Sequence, residues 1–505
     1  MTTLKIKPRN FFLLLILIIG LFIFFSYRLA DTPNGITEDE ASYGYNGILL
    51  SENLRDSHGR FLPLFILGSD NKTWYPPFMQ YLIVLLFRFF GPSVYVMRLS
   101  SGIITVLSAL LTLYFARLIF NKKTAVFTLI SFLIIPEVMI ETHMPLEHMI
   151  VVPFVLLWLI SLFKYRHTLE NKYLIFAALS LGLGFYSYGG IRPMVAIWVL
   201  VSIAYIIYLN WPTQKLSLKI LTRRKFLIPL FTFILTVLPF FAVIPILEYY
   251  YSGAVLNRVS FKINSIYNFF YYYLASFDIS FLFVTGDKLL IQSTLRHGMF
   301  LLSTLPIFAI GLYQGFRKGS DYFTFLGMTF LISPLLYGFV GSAFFAHRLL
   351  YMVPFYTIFF TLGIKKMLDS RNRWLKYGSF ILFILVIVNY FDFWRYYMFT
   401  YPKDSYHIFY HLEDYNKPYK TLSEEAKQRK LQPFLSSQIS RIDGINISDT
   451  ELFARAIYFP KPLSVLDEEK DTLPKSGILL SNNPSVAGLK RLDSDAAPFY
   501  LYIRN

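Results

Sequence analysis

Apolar runs of roughly twenty residues recur along the chain, and a run of that length reads as a transmembrane helix. The first, FFLLLILIIGLFIFFSY from Phe11 to Tyr27, is longer than the core of a signal peptide. No small-residue cleavage site follows it, so it reads as a retained span. One piece breaks the rhythm. Phe78 to Phe90 is an apolar piece of about 13 residues, which would reach roughly 20 Å as a helix, short of a hydrocarbon core of about 30 Å. It is assigned to a helix lying along the outer surface.

The polar gaps then set direction, because cytoplasmic loops are enriched in Lys and Arg. Lys5, Lys7 and Arg9 place the N-terminus inside. A second span, Arg98 to Phe120, ends at the basic Asn121–Lys123, and a third emerges near Pro136. The fourth ends at Lys164–His167, and the fifth emerges at Tyr186–Arg192. The sixth ends in a loop with Lys215, Lys219, Arg223, Arg224 and Lys225, and the seventh reaches a long outer loop, 248–297. The eighth ends at Phe316–Lys318, the ninth emerges near Gly341, and the tenth ends at Lys365–Lys376. An eleventh finishes near Trp394 and leaves the C-terminus outside. Eleven spans keep the basic clusters on one face.

From about residue 395 the pattern changes to mixed polar sequence. SGILLS (476–481) and APFYLYI (497–503) read as strands, and SEEAKQRK (423–430) as helix. The expected architecture is therefore mainly α: a polytopic membrane domain over 1–394, with 31–97 as its first outer loop, and a small extracytoplasmic α/β domain over 395–505. The aromatic cluster NFFYYYL (268–274) suits an interfacial belt.

Composition agrees with this reading. Of 505 residues, 55% are hydrophobic and only 16% charged, where a soluble protein carries about a quarter charged. The net charge of +17 fits basic cytoplasmic loops and gives no reason to invoke nucleic acid. Without cysteine there is no disulfide, thiolate metal site or cysteine nucleophile.

The span interiors are almost free of ionisable groups, which argues against an ion-coupled transporter. Polar candidates gather instead in the outer loops: Glu38, Asp39, Glu40, Lys72 and Tyr75; then Glu137, Glu141, His143, Glu147 and His148; then Arg192; then Asp287, Arg296 and His297; and finally His347 and Arg348. Carboxylates and cations converging from five loops suit an anionic substrate at the membrane surface. Each has a plainer explanation. Thr37-Glu38-Asp39-Glu40 is a capping box whose acids also suit a helix dipole. Glu147 could start a helix, a loop His is commonly surface, the arginines could anchor to headgroups, and Lys72 could simply be solvated.

Several stretches in order, DEASYGYNG (39–47), WYPPFMQYLIVLLFRFFGPSVYVMRLSS (74–101), PEVMIETHMPLEHM (136–149), GLGFYSYGGIRPM (182–194), FLFVTGDKLLIQSTLRHGMF (281–300) and AHRLLYMVP (346–354), resemble the glycosyltransferase family 39 group with the C-type membrane fold. That group includes protein O-mannosyltransferases and lipid A aminoarabinose transferases. The resemblance implies transfer of a sugar from a polyprenyl-phosphate carrier to an acceptor glycan, lipid or protein on the non-cytoplasmic face, with inversion. Asp39 matches the acid taken as catalytic base, with Glu40 beside it. Arg192 and Arg348 are the leading phosphate ligands implied, followed by Lys72, Arg296 and His347. Glu147 matches a second-loop acid that either orients the acceptor or holds a divalent metal with Asp39. His143 stands where bacterial relatives often carry Arg. Two other classes compete: a lipid-linked sugar transporter or flippase, which requires a polar path through the spans, and a non-catalytic scaffold, which gives no reason for the converging charges.

Overall fold

A computed structural model describes residues 8–211, 224–256, 265–317, 320–440, 448–461 and 463–504. Lys5, Lys7, Lys215, Lys219, Arg223 and Lys318, which helped to set the expected orientation, lie outside the described residues. The chain divides into two compact units, one of residues 1–29 and 101–401, the other of 30–100 and 402–505.

The first unit is helical. Six helices among the described residues are long and apolar enough to cross a membrane: Val94–Ile119, Glu147–Thr168, Gly189–Asn210, Leu227–Tyr250, Asp321–Val340 and Arg373–Asp404. Lys122–Leu133 and Pro136–Thr142 make a seventh if counted together across their 61° bend, where Pro136 opens the second piece. The other stretches read as spans form the shorter helices Pro8–Ser26, Lys172–Ser187, Leu305–Arg317 and Val353–Leu368. The 13 residues of Leu305–Arg317 reach only roughly 20 Å at 1.5 Å per residue. Close packing joins it to Val353–Leu368. A Cβ on Gly311 would lie 1.7 Å from the Phe359 carbonyl oxygen, and one on Gly363 2.0 Å from that of Ile307. Glycine lets the two backbones touch, as between membrane helices. Elsewhere in this unit Trp158 and Trp198 stack 5.4 Å apart, each indole N–H satisfied by a serine hydroxyl, Ser202 and Ser333.

The second unit contains the helices Glu38–Asn53, Pro77–Phe90, Leu412–Arg429 and Asp449–Tyr458. Short strands β1 (Ile66–Leu67) and β2 (Trp74–Tyr75) pair antiparallel between the first two helices. Five more strands follow: β3 (Gln432–Ser436), β4 (Ser464–Leu466), β5 (Gly477–Ser481), β6 (Leu489–Arg491) and β7 (Tyr500–Arg504). They form one sheet in the order β4-β3-β5-β7-β6, with β3 parallel to β4 and β5, and β7 antiparallel to β5 and β6. β5 is buried along its whole length, which explains the continuous apolar run Ile478–Leu480. Tyr419, Leu422 and Ala426 of the Leu412–Arg429 helix pack onto Leu435, Ile478, Leu480 and Leu501. The two expected strands are present, and the expected helix begins earlier, at Leu412, with Pro418 inside it. Pro77–Phe90 is a helix of 14 residues, as its apolar pattern requires.

Candidate active site

In the second unit the acidic run opens a helix. Thr37 is its N-cap: the Thr37 hydroxyl accepts from the Glu40 amide at 3.1 Å, and the Glu40 carboxylate accepts from the Thr37 amide at 2.9 Å. The reciprocal box satisfies two donors that a helix N-terminus leaves over. Glu40 is fully buried and meets an equally buried Arg98 at 2.8 Å. Arg98 also donates to the carbonyls of Pro33 and Gly35, so it ties the entry turn to the start of the Val94–Ile119 helix. Glu40 was expected beside Asp39 in the chemistry; its carboxylate is instead held within the fold by Arg98 and the cap.

The other two acids turn elsewhere. Glu38 accepts from the Asp449 amide at 2.8 Å and the Thr450 hydroxyl at 3.3 Å, capping the Asp449–Tyr458 helix. Burial and the nearby Asp449 raise its pKa above the ordinary carboxylate value. The Asp449 carboxylate accepts from the Ser69 hydroxyl, and burial raises its pKa as well. Asp39 is exposed, and its Oδ1 accepts from the Tyr75 hydroxyl at 2.9 Å. β2 and the ring of Tyr43, 4.7 Å away, fix that tyrosine. Burial and the charge of Asp39 hold the Tyr75 phenol well above its usual pKa, so it stays a donor. Lys72 lies in the exposed turn before β2, where its amide donates to Asp70.

The first unit holds its own polar cluster. His148 Nδ1 lies 2.9 Å from Glu141, and His347 Nδ1 lies 3.2 Å from Asp287. The two imidazoles face each other with ring centres 4.4 Å apart. Asp287 also accepts from the amides of Leu289 and Ala346, which locks the 287 and 346 loops together. Burial, then the charge His148 can carry, lowers the pKa of His347. Glu137, Glu141 and Glu147 are all buried.

Arg348 stands over the Phe345 ring at 4.4 Å and lines a cavity of about 270 Å³ with Tyr188, Gly189, Gly190, Pro193, Met194, Tyr337 and Val340. Arg192, paired with it in expectation, is placed differently: it is buried, and its guanidinium donates to the carbonyls of Ala254 and Val255 at 2.7 and 2.8 Å and of Phe185 at 3.3 Å. It braces the outer loop. His143 likewise faces two carbonyls, Met139 at 2.9 Å and Tyr27 at 3.1 Å, in a fully buried position. Arg296 lies over Tyr396 at 4.5 Å, and His297 meets Asp392 at 3.2 Å. Among the described residues no group of three or more His, Asp or Glu side chains is placed to hold a metal ion.

Sequence reasoning overlooked Arg98 and Asp449. A buried carboxylate demands a partner, but nothing in the sequence says which of many basic residues supplies it.

Against known proteins, the profile of the dolichyl-phosphate-mannose-protein mannosyltransferase family matches residues 75–242. That stretch includes Tyr75, His143, Glu147 and Arg192 and ends before Asp287, His347 and Arg348; Asp39 precedes it. No curated protein matches the sequence. Among solved structures, ArnT from Cupriavidus metallidurans in the apo state aligns over 97% of both chains, with a TM-score of 0.52 and 13% identity. The same protein bound to undecaprenyl phosphate aligns over 97% of both chains, with a TM-score of 0.57 and 10% identity. The fold is ArnT-like. The family match thus carries the family 39 resemblance in sequence, and ArnT carries it in architecture.

Proposed function

We propose that the chain is a membrane glycosyltransferase that moves a sugar from a polyprenyl-phosphate donor to an acceptor on the extracytoplasmic face, with Asp39 as base. The observation that carries this reading is the sorting of the acidic run. Glu40 is buried against Arg98 and Glu38 caps another helix, while Asp39 presents an exposed carboxylate oriented by Tyr75. The likeness to ArnT, a protein solved with undecaprenyl phosphate bound, supports the donor class. The bilayer setting, the eleven spans, the cytoplasmic N-terminus and the outer C-terminal domain belong to the same proposal.

In the proposed step Asp39 takes the proton of an acceptor hydroxyl as that oxygen bonds to the anomeric carbon. The bond from that carbon to the phosphate oxygen breaks, and its electron pair leaves with the polyprenyl phosphate. Attack from the opposite side inverts the centre. A positioned base contributes about 10²–10⁴-fold. The leaving phosphate gains charge, which a guanidinium stabilises through charge-assisted hydrogen bonds. Arg348 takes that role because it lines a cavity, whereas the Arg192 guanidinium is engaged with carbonyls. Lys72, Arg296 and His347 stand behind Arg348 as phosphate contacts, and Glu147 as a group that orients the acceptor.

The test is transfer by purified protein from undecaprenyl-phosphate sugars. Asp39→Asn should lower the rate by about 10²-fold or more while leaving expression and melting unchanged. Full activity in that variant would remove Asp39 from the chemistry. Movement of the lipid-linked sugar across vesicles without transfer would favour the flippase reading.

A further inference from the structure

Within the second unit lies a cavity of about 480 Å³ that the proposed chemistry does not use. Its wall carries the carboxylates of Asp31, Glu413 and Asp414, the amides of Asn34 and Asn416, and the rings of Tyr406 and His411. The volume falls in the range of small-molecule sites, about 300–1,000 Å³.

The wall is built by two segments drawn close together. Ile36 and Tyr410 exchange both backbone hydrogen bonds at 2.8 Å, which joins the chain entering the Asp39 helix to the chain entering Leu412–Arg429. Gly35 makes this approach possible. Its φ is +105°, and a Cβ there would lie 2.8 Å from both the Phe409 Cβ and the Tyr410 carbonyl oxygen. Tyr406 and His411 stack face to face at 3.6 Å, and His411 Nε2 is fixed on the Tyr406 carbonyl at 2.9 Å. Tyr406 keeps half its surface exposed.

A second observation points to a ligand. The Asn416 side-chain oxygen is buried and has no hydrogen-bond partner. An acceptor left in that state costs free energy until something donates to it. The lining then narrows the chemistry. Three carboxylates and no lysine or arginine line the cavity, so its charge balance disfavours an anion. No three acidic or imidazole groups among the described residues converge to hold a metal ion. Carboxylate and amide oxygens accept from hydroxyls, and an aromatic ring offers a flat apolar face.

We propose that this cavity binds an uncharged saccharide, as the acceptor or a part of it. The assignment rests on the transferase reading for its role, and on the wall alone for its ligand class. Because Asn34, Gly35 and Ile36 form part of the wall and lead directly into Thr37, a bound saccharide would sit against the turn that opens the Asp39 helix.

The experiment presents full-length protein in nanodiscs with a panel of neutral and uronic-acid oligosaccharides, read by saturation-transfer NMR without donor present. Neutral sugars should bind and uronic acids should not. Tyr406→Ala and Asn416→Leu, each checked for unchanged melting, should each weaken binding about 10-fold, as loss of a ring contact or a hydrogen bond implies. Absence of any neutral binder, preference for uronic acids, or binding as tight as the wild type's in both variants would each overturn the proposal. Sugar binding without transfer would leave the cavity standing and remove the transferase reading. Transfer with an acceptor KM unchanged in Tyr406→Ala would do the reverse.

Discussion

Arg98 and Glu40 are both fully buried, so neither has water to fall back on. Removing one partner of such a pair costs about 3–5 kcal/mol, because the other charge is left uncompensated. Arg98→Met should therefore lower the melting temperature sharply, and Arg98→Met with Glu40→Gln should recover much of the loss. If the single variant melts like the wild type, the pair does not hold the turn. Tyr75 acts one step closer to the chemistry. Tyr75→Phe keeps the ring against Tyr43 and removes the hydroxyl that donates to Asp39. The expected result is a fall in kcat of about 10-fold with little change in donor KM, the size of one lost charge-assisted hydrogen bond. A changed KM with unchanged kcat would make Tyr75 a binding residue. At this scale the sequence was legible where interactions are local. Thr37 and Glu40 are three residues apart, and their capping box could be read directly. Arg98 lies 58 residues from Glu40, and Asp449 lies 411 from Glu38, separations that no spacing rule reaches.

Between elements, packing decides what local propensity leaves open. Pro418 reads as a helix breaker, yet it lies within Leu412–Arg429 because Tyr419 and Leu422 are buried against the sheet. The Glu38–Asn53 helix owes its contact with Asp449–Tyr458 to one missing side chain: a Cβ on Gly44 would lie 2.6 Å from the Phe453 ring. Gly44→Val should overpack that contact and destabilise by about 1–3 kcal/mol, seen as lower melting, and Phe453→Ala in the same chain should restore part of it. The paired imidazoles give a pH signature. Asp287, His148 and Glu141 surround His347, and its depressed pKa means that the unfolded chain binds the proton more readily than the folded one. Stability should therefore rise with pH up to the ordinary imidazole range, about 6.5, and be lost as pH falls below it. His347→Gln should flatten the change in melting temperature between pH 7.5 and pH 5. An equally steep change would mean that other groups control it.

For the whole molecule, helix length and charge parity speak to different things. Only six helices, or seven with the bent pair, are long enough by themselves among the described residues. Apolar stretches such as Leu305–Arg317 were legible as helical segments, but their close backbone contacts, Gly311 on Phe359 and Gly363 on Ile307, were not, because hydropathy does not register which glycines meet a neighbouring helix. Orientation depends on parity, and Pro77–Phe90 is its hinge. If this 14-residue helix lies outside the bilayer, the chain crosses eleven times and its ends lie on opposite faces. If it crosses, every later segment is inverted. The absence of cysteine makes the two arrangements separable, since one introduced thiol is the only one present. Lys123→Cys and Glu424→Cys both fall at exposed positions. On intact cells an impermeant maleimide should label the cysteine at 424 at once and the cysteine at 123 only after permeabilisation. A reversed pattern would show that Pro77–Phe90 or the first span is misassigned. Equal labelling of both would place positions 123 and 424 on the same face and break the parity between them.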